Sequence, residues 1–129
     1  MSRNRKFRLW TLGLVALVAF AIAPAAHAQK KPLKIGFSMA LTGPLGPAGK
    51  AALLAMQIWR DDVNAKGGLL GRKVELVYYD DQTKPANVPG IYAKLLDVDK
   101  VDFVVSGYGT NLIVPALPIV MERGMAFMG

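Results

Sequence analysis

Six consecutive residues, Ser106-Gly107-Tyr108-Gly109-Thr110-Asn111, combine the properties needed to hold a small anion. The two glycines let backbone N–H groups point outward together. Thr110 or Asn111 can cap a following helix, whose N-terminus favours negative charge. A carboxylate could be held there without any arginine. Ordinary turns and caps use the same residues, so the loop by itself admits both readings, with the plain cap the commoner.

Other constellations point to less. Adjacent carboxylates at Asp80-Asp81 could suggest a metal or acid–base pair. At a strand end with no third ligand near, they read as solvated loop or capping residues. Gly43, Gly46 and Gly49 lack the GxGxxG order, and Pro44 and Pro47 remove N–H donors that a phosphate would need. Nucleotide binding is not expected. The chain has no cysteine, and its one histidine is His27. Beyond that point neither a Ser-His-Asp triad, a Cys-His pair nor an ordinary zinc site can be built. No catalytic residue, metal ligand or cofactor is assigned, and an enzyme is the least favoured class.

These residues must be positioned by strands and helices, and the order of elements is legible. Leu33 to Ser38 reads as a buried parallel strand, followed by a Gly/Pro loop over Thr42 to Gly49. Lys50 to about Ala65 reads as a helix. Ala51, Leu54, Ala55, Ile58 and Val63 lie near helical spacing, with Gln57, Arg60 and Asp61 on other faces. The Gly67-Gly68 pair ends it. Val74 to Tyr79 is a second strand, and Asp80 to Lys84 a polar loop. Ala86 to Asp97 is a second helix that turns Ile91, Leu95 and Leu96 inward, with Pro89 tolerated in its first turn. Val101 to Val105 is a third strand. A third helix follows Asn111, with Pro115 near its first turn and a kink expected at Pro118. Met125 to Met128 is the last strand. Met121, Met125, Met128, Trp59 and Tyr92 are expected to pack rather than to cradle a ligand.

Strands alternating with helices predict an α/β fold with right-handed crossovers and a parallel sheet. Ligands then bind beyond the carboxyl ends of the strands. The candidate loops are therefore Met39 to Gly49, Asp80 to Lys84, and Ser106 to Asn111.

The first 28 residues are expected to be a cleaved signal peptide. Arg3, Arg5, Lys6 and Arg8 form a basic front, and Leu9 to Ile22 is an uncharged, mostly apolar run of 14 residues. Ala26-His27-Ala28 fits a small-x-small cleavage pattern before Gln29. The run is short of the roughly 20 apolar residues that span a bilayer. The basic front holds four of the chain's 16 Lys and Arg; the remaining 12 face nine Asp and Glu, a net charge near +3. With no basic stripe among them, nucleic acid is not an expected partner.

Lys34-Ile35-Gly36, Leu41-Thr42-Gly43-Pro44 and Val63-Asn64-Ala65-Lys66-Gly67-Gly68 stand in a specific order. Tyr79-Asp80-Asp81 with Pro85, and Pro115-Ala116 before Gly124, complete it. Together they resemble the leucine/isoleucine/valine-binding family of periplasmic solute-binding proteins, which feed ABC importers. The resemblance runs from Leu33 to Gly129. It implies the N-terminal lobe of a type I periplasmic binding protein, whose two lobes close on a ligand. Gly109 and Thr110 fall where the family holds an amino acid's α-carboxylate with backbone N–H groups and a hydroxyl. Tyr108 and Asn111 flank them, and Ala48 stands where leucine-type members place an aromatic residue. The implied function is periplasmic capture of a small organic solute, an amino acid or related carboxylate, with an inner-membrane permease as partner. A ligand-sensing domain of a receptor or regulator is the alternative. Residues 29–129 are expected to be the N-terminal part of a longer protein whose second lobe lies past Gly129.

Overall fold

The computed structural model describes residues 30–129, so the signal-peptide reading of residues 1–28 lies outside the described residues. Four parallel strands form one sheet: β1 (Leu33–Met39), β2 (Val74–Asp80), β3 (Phe103–Val105) and β4 (Phe127–Met128), in the order β2-β1-β3-β4. β1 pairs with β2 along seven residues, from Leu33↔Val74 to Met39↔Asp80, and with β3 through Ile35↔Phe103 and Gly36↔Val104. Leu33, Ile35, Phe37 and Met39 are buried on one face of β1, and the small residues Gly36 and Ser38 are buried on the other, so the central strand is covered on both sides.

Helix α1 (Gly46–Ala65) joins β1 to β2, and α2 (Val88–Asp97), entered through a 3₁₀ turn at Pro85–Asn87, joins β2 to β3. The first connection runs one way along the sheet and the second runs back across β1. Both being right-handed, the two helices lie on opposite faces. The reversal falls between β1 and β3, where open α/β sheets leave a crevice at their carboxyl edge.

The α1 helix begins four residues earlier than its pattern predicts, because Pro47 suits a first turn. It ends where expected. The Gly67 N–H donates to the Asn64 carbonyl (3.2 Å) and the Gly68 N–H to the Val63 carbonyl (2.9 Å), a Schellman closure. The third helical run breaks near its prolines: α3 (Thr110–Ile113) passes through a 3₁₀ turn, Val114–Ala116, into α4 (Leu117–Glu122). Pro118 has no N–H to offer the Val114 carbonyl, so the turn tightens four residues before it rather than at it.

The continuous core lies on the α2 face, where Val88, Tyr92, Leu95, Val101, Val104, Leu112, Ala116 and Val120 are buried together. Leu95 and Leu96 face inward as predicted, with Ile91 packed against them. For α1 the expected apolar stripe does not face the sheet. Ala51, Leu54, Ala55 and Ile58 are exposed, while Gln57 and Arg60 are half-buried and Gln57 Nε2 donates to the Tyr78 hydroxyl (3.4 Å). Among the described residues no helix is long and apolar enough to cross a membrane.

Candidate functional site

The carboxyl edge of the sheet is organised by a carboxylate, not by glycines alone. Asp80, the last residue of β2, reaches across to the loop after β1. Its Oδ1 accepts the N–H groups of Leu41 (3.0 Å), Thr42 (3.2 Å) and Gln82 (2.8 Å), and its Oδ2 accepts the Thr42 hydroxyl (2.7 Å). Burial opposes ionisation there, but the Thr42 hydroxyl and these N–H groups outweigh it and hold Asp80 below the usual carboxylate range. Thr83 closes the clamp: its hydroxyl donates to the Thr42 carbonyl (2.7 Å) and accepts the Leu45 N–H (3.3 Å). Two loops that sequence distance keeps apart thus become one rigid ledge.

Asp81 behaves differently from its neighbour. It is fully buried rather than solvated. Oδ1 accepts the Thr83 N–H (2.9 Å), and Oδ2 has no partner. Burial pushes this carboxyl up and the Asp80 charge adds to the effect, against the smaller influence of the Thr83 N–H and the Ser38 hydroxyl.

The third loop rests on this ledge. A Cβ at Gly107 would stand 1.9 Å from the Ser38 carbonyl oxygen, so β1 and the loop after β3 touch through backbone. Gly109 has φ +107°, a conformation suited to glycine, and serves as the N-cap of α3. Thr110 is therefore the first helical residue and not the cap; no side chain caps this turn. The Leu112 and Ile113 N–H groups both donate to the Gly109 carbonyl (2.9 and 3.1 Å). Those of Thr110 and Asn111 precede the first bond of the turn, where helical geometry leaves donors unspent. The helix is only one turn long, so these local donors matter more here than any axial dipole.

Of the predicted site residues, Tyr108, Gly109, Thr110 and Asn111 lie together at the carboxyl edge, and all but Gly109 are exposed. Ala48 sits half-buried in the first turn of α1. Leu45 borders Gly109 from that element: a Cβ there would lie 3.0 Å from its Cδ1. Leu45 was legible only as the one large apolar residue between Thr42 and Gly49. Among the described residues no group of three or more His, Cys, Asp or Glu could hold a metal ion.

A family model described as periplasmic binding protein matches residues 32–129. A Leu/Ile/Val-binding protein of Rhizobium johnstonii is 32% identical over 117 residues, covering 91% of this chain and 31% of its own length. The chain spans about a third of the length of the curated relatives it matches. Among solved structures, the branched-chain amino acid transporter substrate-binding protein of Streptococcus pneumoniae, in complex with isoleucine, superposes with a TM-score of 0.71. It is 27% identical, over 74% of this chain and 28% of that one. A type 1 periplasmic binding protein of Bordetella pertussis gives 0.69 at 28% identity, over 76% and 26% of the two chains.

Proposed function

This chain belongs to the periplasmic binding protein family, and we propose that it captures a small carboxylate solute, an amino acid or close relative, for an ABC importer. The observation that carries this reading is the Ser106–Asn111 loop. It sits at the sheet's switch point, with unspent N–H groups at Thr110 and Asn111 and the Thr110 hydroxyl exposed beside them. Relatives named as binding proteins, one with isoleucine bound, support it. Binding is then reversible lobe closure without chemistry on the ligand, so the protein is not an enzyme. Residues 29–129 form the N-terminal part of a two-lobed domain, reached in the periplasm after cleavage following Ala28. An inner-membrane permease is the partner that receives the solute.

In this arrangement the carboxylate accepts the Thr110 and Asn111 N–H groups and the Thr110 hydroxyl, while Tyr108, Leu45 and Ala48 shape the apolar side. The test is Thr110→Val, read by an NMR titration with isoleucine alongside the melting temperature. A hydrogen bond to a charged group contributes roughly 1.5–3 kcal/mol, so the dissociation constant should rise about tenfold to a hundredfold. Because Thr110 caps nothing, the melting temperature should hold. An unchanged affinity would overturn the assignment of the hydroxyl.

A further inference from the structure

Helix α1 carries apolar residues on two opposite sides. Leu53, Met56 and Val63 are partly buried with Arg60 and Asn64, and Asn64 binds the Val74 backbone of β2 through both side-chain atoms (2.7 and 2.9 Å). That side faces the sheet. At about 100° per residue, Ala51, Leu54, Ala55 and Ile58 fall on the other side. All four are exposed, Leu54 by 57% and Ile58 by 61%. In a layered α/β fold one layer of helices covers each face of the strands, so the outer side of that layer meets no element of its own domain. Leucine and isoleucine at i and i+4 there have the spacing of a helix–helix seam.

The charges on α1 are also arranged unusually. Lys50 stands near its N-terminal end, Asp61 and Asp62 near its C-terminal end, with no acid in the first turn and no base in the last. A helix's own dipole favours the reverse order. Arg60 meets Asp61 (2.8 Å) and Lys66 meets Asp62 (2.7 Å), but among the described residues Lys50 joins no ion pair.

We propose that the outer stripe of α1 binds a second copy of this chain, the two helices lying antiparallel about a two-fold axis. The charges select this occupant and this direction. Lys50 and Asp61 are eleven residues apart, so they lie only about 20° from one another around the helix, on one flank of the stripe. They also lie about 8 Å to either side of a point between Ala55 and Met56. A two-fold axis through that point sets each flank against the same flank of the partner, with the ends exchanged. Lys50 of each copy then meets Asp61 of the other, and Leu54 of each meets Ile58 of the other. Ala51 and Ala55 leave room for close approach. The antiparallel dipoles oppose one another favourably, and each misplaced charge gains a partner. The interface is isologous, so it closes at two copies.

A seam of six residues a side, Lys50 and Asp61 included, is small beside the roughly 20–30 residues a side of a standard interface. The dimer should therefore be weak, half formed at about 0.1–1 mM, and dissociated at low micromolar concentration. The stripe lies outside the carboxyl edge, and its occupancy does not depend on the ligand reading.

The experiment is sedimentation equilibrium of the solute-free chain across that concentration range, with melting temperatures to check that each variant folds. The wild type should pass from monomer to dimer. Ile58→Lys places like charges at the centre of the seam and should raise the dissociation constant at least about tenfold. Lys50→Glu sets two carboxylates against each Asp61 site and should raise it about tenfold, while Lys50→Glu combined with Asp61→Lys should return it to within about threefold of the wild type. A wild type that stays monomeric to about 1 mM would overturn the proposal whatever the variants do. So would a dimer indifferent to Ile58→Lys, or one that the double exchange fails to restore.

Discussion

On the α2 side of the sheet, Val88, Tyr92, Leu95 and Val120 are sealed from solvent, and the Tyr92 and Phe127 rings meet edge to face with centroids 5.7 Å apart. On the α1 side, Phe37 is sealed under the helix and stacks on Tyr78, but among the described residues nothing covers β3 and β4. Phe103 stays 47% exposed and Met128 75%. An open apolar groove of about 460 Å³ runs there between Ile35, Ala55, Met56, Trp59, Val105 and Ser106. Apolar spacing therefore means different things on the two faces. On α2 it marks residues already packed; on α1 it marks two stripes, one on the sheet and one without a partner among the described residues.

The largest effect should come from cutting the same side chain on each helix. Leu95→Ala opens a cavity in a closed core and should cost about 2–5 kcal/mol. Leu54→Ala, on the exposed stripe of α1, should stay within about 0.5 kcal/mol. Denaturant melts of both variants check this, and comparable losses would mean that α1 is packed in solution as tightly as α2.

Glycines sharpen the contrast. A Cβ at Gly49 would stand 1.9 Å from the Ala40 carbonyl oxygen, so Gly49→Ala must push α1 off the sheet, at a cost of about 1–3 kcal/mol. At Gly90, on α2, a Cβ meets nothing within 4 Å, so Gly90→Ala should raise stability by roughly 0.4–1 kcal/mol. Equal signs in thermal melts would contradict the packing described.

Smaller effects separate the two adjacent carboxylates. Asp80 is held below its ordinary value, so the stability it contributes is present near neutrality and is lost as pH falls through its folded value. Asp102 does the same at the amino edge. There the Lys34 N–H (2.8 Å) and the Arg72 guanidinium (3.1 Å) outweigh burial and favour its ionised form. Asp81 is raised, so its contribution is present in acid and is lost as pH rises through its folded value. Asp81→Asn should therefore melt higher than the wild type at neutral pH, and the gap should narrow as pH falls below about 4. A gap independent of pH would show that the fold does not raise the Asp81 carboxyl.

Much of this was legible beforehand. Alternation of elements, the glycine exit after α1 and the inward face of α2 follow from local periodicity and turn chemistry. So do the three loops at the carboxyl edge. The orientation of α1 was not legible, because a helix with apolar residues on two faces does not announce which one the sheet takes. Nor was the unlike fate of Asp80 and Asp81. One peptide unit separates them, yet the strand sends one side chain across to Thr42 and the chain's turn sends the next into the core. The capping role expected of Thr110 or Asn111 falls to Gly109, whose φ of +107° is a conformation that favours glycine.

The central claim is that the Ser106–Asn111 loop receives a carboxylate. It is tested most directly by titrating the chain with isoleucine and, in parallel, with 2-methylbutylamine, which keeps the amine and side chain but lacks the carboxyl group. Isoleucine should shift the Gly109, Thr110 and Asn111 amides with a dissociation constant no tighter than about millimolar, roughly −4 kcal/mol, because Tyr108, Thr110 and Asn111 are exposed and solvent competes for the same donors. The amine should leave them in place. Equal shifts with both compounds, or isoleucine shifts confined to the groove beside Trp59, would contradict the account.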